Sequence, residues 1–250
     1  MLNSLNRIWT TVYINYKSLR FNLMNYLMLV VVFPLSYLVM NIIASNGKIS
    51  IIQTVIGAYT SMIISLFFNL FAIQVSSANE IQILELYRTV KVKVLEIFCG
   101  NGLFYTLLSV FMFIVMVLIT AFNSIEFNLF RLVLCQIICF SLLSTLGIVI
   151  GSLIRNPSMA GPIINLIYMI CVIVTPIYLA PYRVDGILKH LYFINPLSHV
   201  VWINYWGYDQ YNGIELIKSI AYMLLVVILG WIYIFKRWNN TYSKEKKNII

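Results

Sequence analysis

Charge is absent from long stretches of this chain, and the polar positions gather between them. Charge-free apolar windows cover residues 21–47, 49–79, 97–125, 132–154, 156–182 and 219–235. A helix needs roughly 20 apolar residues to cross ~30 Å of hydrocarbon. The pattern therefore predicts an all-α polytopic membrane protein whose transmembrane domain, residues 21–235, holds six transmembrane helices. The last window is short, and Trp231, Tyr233 and Trp238 beside Lys236 and Arg237 give it an interfacial anchor. No cleavable signal peptide is expected, because the first apolar run follows twenty fairly polar residues.

Ahead of the first window, Leu2, Leu5, Trp9, Val12, Tyr16 and Leu19 recur at alternating steps of three and four. Asn3, Asn6, Arg7, Thr10 and Lys17 face elsewhere. Residues 1–20 thus read as an amphipathic helix on the cytoplasmic membrane surface. The rival reading is a helix packed on other helices; Lys17 and Arg20 at the membrane edge favour the first. Between the second and third windows stands SSANEIQILELYRTVKVKVLEIF, in which Ser77 and Glu80 form a capping box, so a helix should start near Asn79. The mix of acids, bases and exposed Leu or Ile over residues 78–96 suits a cytoplasmic docking surface.

The stretch FINPLSHVVWINYW, Phe193–Trp206, is too polar for a clean span and too apolar for a solvated loop. Asp185 is placed to cap a short helix with Ile187, Leu188, Leu191 and Ile194 on one side. Asn195 is placed to cap a second, with Pro196 at its first position, where a missing N–H costs nothing. Each piece is about 15–20 Å long at 1.5 Å per residue, too short to cross. Residues 184–208 are therefore expected to form a re-entrant extracellular helical hairpin before the last span, with Asn195, Pro196, His199 and Trp202 as an outer lid. A plain extracellular loop packed for stability is the alternative.

Polar residues inside the windows are neutral. Ser61, Ser65 and Asn69 fall at i, i+4, i+8 on the second, and Asn101, Tyr105 and Ser109 do so on the third. Ser144, Gly147 and Gly151 make a small-residue face on the fourth. These stripes read either as glue between helices or, for Ser61, Ser65, Asn69, Asn101 and Tyr105, as the lining of a substrate path.

Composition agrees with the windows: 61% of the 250 residues are hydrophobic and 10% charged, where a soluble domain carries about a quarter charged. Lys and Arg concentrate on the side holding Arg7, Lys17, Arg20, Arg88, Lys91, Lys93, Arg155 and the basic tail 236–250. That places both termini in the cytoplasm of a multi-pass protein of the cell membrane. The net charge of +9 is mostly this bias and the tail, a match for anionic membrane lipid and no sign of nucleic-acid binding. Cys99, Cys135, Cys139 and Cys171 lie in apolar windows without His or acid to complete a metal site. No window holds an Asp, Glu, Lys, Arg or His near its middle, as ion-driven transporters usually require. No GxxxxGK[ST] phosphate loop occurs. Uphill transport would draw its energy from another chain.

The order of a surface helix, two spans, a charged cytoplasmic helix and four spans with a Pro-rich extracellular insertion resembles the permease subunits of type 2 ATP-binding-cassette (ABC) exporters. TPIYLAP (Thr175–Pro181) followed by INPLSHVV (Ile194–Val201) is similar to the family's P-I and N-P-L pattern, and ILELYRTV (Ile83–Val90) resembles its ATPase-contacting segment. Two departures stand out. Asn204 to Tyr208 replace a region where the family often has an Arg, and Asn101 stands where it often has a Lys.

The resemblance implies a permease without a catalytic site of its own or a cofactor in this chain. ATP and Mg would sit on a separate cytoplasmic ABC ATPase subunit, coupled through Glu80, Glu85, Leu86, Tyr87 and Arg88. A second permease copy, or a related permease, would complete the transporter. The cargo it implies is amphipathic, with a bacteriocin-like peptide favoured because the path stripes lack charges to hold a sugar phosphate. A polysaccharide or teichoic acid exporter, and a membrane-embedded vitamin-binding subunit of an importer, are the alternatives.

Overall fold

The computed structural model describes residues 4–20, 23–32, 39, 51–78, 94–154, 156–177 and 186–247, and among them every regular element is helical. Helix α1 (Ser4–Leu19) is followed by α2 (Leu23–Leu27), which runs on as a π-helix over Met28–Val32. Helix α3 is built of an α segment Ile51–Ile64, a π segment Ser65–Leu70 and an α segment Phe71–Ala78. Then come α4 (Val94–Phe122), α5 (Leu129–Leu153), α6 (Pro157–Val174), α7 (Ile187–Ile194), α8 (Pro196–Trp206) and α9 (Ile214–Lys247).

Four of these helices are long and apolar enough to cross a membrane: Ile51–Ser77, Glu96–Phe122, Leu129–Leu153 and Ile214–Arg237. They match the second, third, fourth and sixth windows. Helix α6, with its shorter apolar stretch Ser158–Val172, fills part of the fifth. Most of the first window and nearly all of the coupling segment, including Glu80, Glu85, Leu86, Tyr87 and Arg88, lie outside the described residues. The sixth helix starts earlier than its charge-free window. Lys218 interrupts the window, yet it sits exposed in the opening turns of α9, where a long side chain can reach for water.

Helix α3 is the centre of the bundle. Its span is 83% buried, against 44% for α5, 22% for α4 and 17% for α9; α4, α5, α6 and α8 pack on it, while α9 packs on α5 and α8. On α4 the exposed apolar face is Leu103, Leu107, Phe111, Ile114 and Leu118. Hydrocarbon is the solvent that suits such a stripe.

Close backbone approach draws α5 onto α3. A Cβ on Gly147 would stand 2.5 Å from the Phe67 carbonyl oxygen, and one on Gly151 2.4 Å from that of Ala72. Only glycine leaves room for that contact, which replaces hydrophobic driving force with van der Waals packing in a lipid solvent.

Helix α1 sets the polar side of the amphipathic segment against another helix. It lies along the start of α4, and its inward face is largely polar. Arg7 pairs with Glu96 at 3.4 Å, Ser4 also bonds Glu96, and Asn15 donates to Asn101 at 2.6 Å. Val12 is buried, but Leu5, Trp9 and Tyr16 from the same predicted stripe are 65%, 58% and 67% exposed. Helix packing and an outward aromatic face therefore coexist, because the polar side finds partners on α4 while the apolar side stays free for a membrane surface.

The α3–α5 contact is directly testable. Gly151→Ile should lower the melting temperature of the detergent-solubilised protein, since overpacking costs about 1–3 kcal/mol. Gly161→Ala on α6, where a Cβ meets nothing within 4 Å, should leave it unchanged or raise it. Equal melting points for both variants would contradict this packing.

Candidate functional site

Helix α6 stops where its sequence forbids continuation. Thr175 precedes Pro176, which pushes it into extended geometry (φ −88°, ψ 132°). Asn195 then breaks α7 from α8. Its Oδ1 accepts the Leu197 N–H at 3.0 Å, with Pro196 at the first helical position, as the local pattern predicts. Its Nδ2 donates to Thr175 Oγ1 at 2.9 Å, and that hydroxyl donates to the Cys171 carbonyl at 2.6 Å. One side chain thus ties together Thr175 and Asn195, which sit in two well-separated sequence motifs. Asp185 lies outside the described residues, and Gly186 occupies the cap position of α7 without a side-chain bond.

Helix α8 has eleven residues, and those from Leu197 to Tyr205 are all buried. At 1.5 Å per residue it is about 16 Å long, half of what a span requires. It runs antiparallel to α5. The Cys135 thiol donates to the Ile203 carbonyl at 3.0 Å, Gln136 Nε2 to Asn204 Oδ1 at 2.9 Å, and Cys139 approaches the Val200 carbonyl at 3.9 Å. The far end is fixed by the Asn128 N–H on the Gly207 carbonyl at 2.8 Å and by the Arg131–Asp209 ion pair. Continuing the register from these pairs sets Asn195 opposite the middle of α5. Tyr59 adds α3 to the same chain, donating to Gln136 Oε1 at 2.6 Å.

His199 is fully buried and ringed by Phe193, Trp202 and Tyr222, at centroid distances of 4.8, 5.4 and 4.5 Å. Nε2 lies 2.8 Å from the Phe193 carbonyl, which can only accept, so Nε2 carries the hydrogen. Nδ1 lies 2.9 Å from Ser219 Oγ, Ser219 Oγ lies 2.6 Å from the Tyr211 hydroxyl, and that hydroxyl donates to the Glu215 carbonyl at 3.0 Å. This relay joins α8 to α9. A cavity of about 550 Å³ opens beside it, bounded by α7, Trp202 and the first turns of α9.

The polar stripes expected on the second and third spans do not converge on one space within this chain. Ser65 bonds the Tyr168 hydroxyl and Asn69 donates to Asn165 at 2.8 Å, both on α6. Ser61 turns back to its own helix at the Ala58 carbonyl. Asn101 faces α1, and the buried Tyr105 ring packs on Phe67 and Phe71. Sequence reasoning missed the partners: Asn165 and Tyr168 one turn apart on α6, Gln136 on α5, and Asn204 on α8. Each is a rare polar group in a long apolar run, and that rarity is the signal that marks them. Among the described residues no three His, Cys, Asp or Glu gather as metal ligands.

Leucine in place of Gln136 would strand both the Tyr59 hydroxyl and the Asn204 amide in the core. Gln136→Leu should cost about 1–3 kcal/mol for each group left unpaired. Combining it with Tyr59→Phe should recover part of the loss, read as melting temperature in a double-mutant cycle. Strict additivity of the two changes would show that the pair does not interact.

The sequence model described as ABC-2 type transporter matches residues 3–205 of the 250. No curated protein matches the chain significantly.

Proposed function

The chain belongs to the ABC-2 type transporter family, and from that premise we propose that it is the permease of an ABC exporter that moves an amphipathic substrate outward. The membrane subunit of such a transporter has no ATPase site of its own, so the energy comes from a separate ABC ATPase subunit. The observation that carries the outward reading is α8, a helix buried from Leu197 to Tyr205 and too short to cross, whose register with α5 supports a hairpin re-entering from the extracellular side. Both termini then lie in the cytoplasm and Asn195, Pro196, His199 and Trp202 close the outer end of the path.

Residues 78–96 are the segment the ATPase pushes, with Glu80, Glu85, Leu86, Tyr87 and Arg88 at the contact. A second permease copy or a related permease faces this one, and the path runs between the two. That arrangement gives meaning to stripes that meet no common cavity in one chain. ATP binding shifts the balance between inward- and outward-open states by rigid-body tilting. The cargo is an amphipathic peptide of bacteriocin-like character, because the polar groups along the spans are neutral hydroxyls and amides.

Purified alone, the chain should hydrolyse no ATP. Reconstituted with its ATPase it should export a fluorescent amphipathic peptide from inside-out vesicles' medium into their lumen. Glu85→Lys should abolish that export while the protein stays inserted; ATP hydrolysis by the isolated chain would overturn the assignment. For the lid, Ser198→Cys is the probe, since Ser198 is fully buried. On intact cells a membrane-impermeant thiol reagent should label it only during ATP turnover. Complete labelling without turnover would reduce the hairpin to an ordinary exposed loop.

A further inference from the structure

We propose that the cavity between α7, α8 and the start of α9 binds the zwitterionic head group of a membrane phospholipid. The proposal rests on the chain being embedded in a membrane and not on the direction of transport. The cavity, about 550 Å³ and lined in part by Phe193, Trp202, Tyr211, Glu215, Lys218 and Tyr222, is of small-molecule size.

Trp202 is 3% exposed, and its Nε1 has no hydrogen-bond partner. Buried donors are rarely left so, and an acceptor carried in by a ligand would complete it. Glu215 and Lys218 stand three residues apart on the same face of α9, presenting a negative and a positive group to one ligand. The rings of Phe193, Trp202, Tyr211 and Tyr222 favour a cation between them.

Together these groups match an ammonium beside a phosphodiester. The ammonium meets Glu215 and the aromatic faces; the phosphate oxygens accept from Lys218 Nζ and Trp202 Nε1. Exposed apolar side chains elsewhere on α7 and the first turns of α9, the two helices that bound the cavity, supply the place for acyl chains. Ile187, Leu191, Ile194, Ile214 and Ile217 are 80%, 52%, 69%, 71% and 66% exposed. An anionic head group without the ammonium would set its phosphate against the Glu215 carboxylate, so the site discriminates by head group.

The full chain in detergent, titrated with dihexanoyl phosphatidylethanolamine or dihexanoyl phosphatidylglycerol below their micelle concentrations, tests this by native mass spectrometry. One molecule of the ethanolamine lipid should bind about fivefold to tenfold more tightly than the glycerol lipid, the size of one charge-assisted contact. Lys218→Met should weaken both lipids. Glu215→Gln should erase the preference between them, and both positions are exposed enough to leave the fold intact. Trp202→Phe, which keeps a ring and removes the N–H, should weaken the ethanolamine lipid about threefold or more. Equal affinity for the two lipids, or an unchanged affinity in the Glu215→Gln/Lys218→Met double variant, would overturn the site.

Discussion

A helix that ends among packed side chains must find partners for its last peptide groups, and at Asn195 this protein meets that constraint twice within a few residues. The carbonyls closing α7 are taken by side chains: Phe193 by His199 and Ile194 by the Tyr222 hydroxyl at 2.5 Å. The first free N–H of α8 goes to Asn195 itself. Each group left bare would cost several kcal/mol in lipid. The short helix is therefore supported by α6 stopping at Thr175, by Ser219 and Tyr222 on α9, and by His199 Nε2 on the Phe193 carbonyl. Change one and the break at Asn195 loses part of its support.

The same currency holds the rest of the bundle. Asn15–Asn101 joins α1 to α4, Asn69–Asn165 joins α3 to α6, and Tyr59–Gln136–Asn204 joins α3, α5 and α8. All are neutral pairs, so none requires a charge to leave water. Measured in membranes, such bonds contribute on the order of 0.6–2 kcal/mol each. That is enough to fix which helices touch and little enough to be exchanged during a conformational change. Charged pairs sit at the margins instead: Arg7–Glu96 where α4 begins and Arg131–Asp209 where α5 begins.

What the sequence reveals depends on how local the cause is. The break at Asn195–Pro196 and the caps are legible because they involve neighbours within three residues, and windows of apolar residues announce their helices. Partners are not legible. Asn69 and Asn101 are visible as polar positions, but nothing local says that one meets Asn165 and the other Asn15. The faces of α1 show the same limit. Periodicity separates an apolar from a polar side, yet it cannot tell which one a neighbouring helix will take, and here Glu96 and Asn101 make the polar side the inward one. Lys218 misled the placement of the last helix start for a related reason: a charge ends an apolar window on paper, while in space a long side chain at a helix end leaves the hydrocarbon.

These contacts also decide how force can travel. Helix α3 ends at Ala78, where the proposed coupling segment begins, and Gly147 and Gly151 lock its second half to α5 at backbone distance. Such a contact cannot slide without collision, so a push on the end of α3 displaces α5 with it. Helix α8 follows, being held to α5 by Cys135 and by Gln136, which in turn accepts from Tyr59 of α3. Its link to α9 is of a different kind, a relay of hydroxyls through Ser219 and Tyr211 beside a cavity. Hydroxyls rotate and re-pair at little cost, whereas clashing backbones do not. The bundle therefore has a stiff part, α3 with α5 and α8, and a more compliant seam between α8 and the start of α9, whose later turns pack on α5 with Gly230 against Thr145. A tilt applied at the ATPase-facing end would open first at that seam, beside His199.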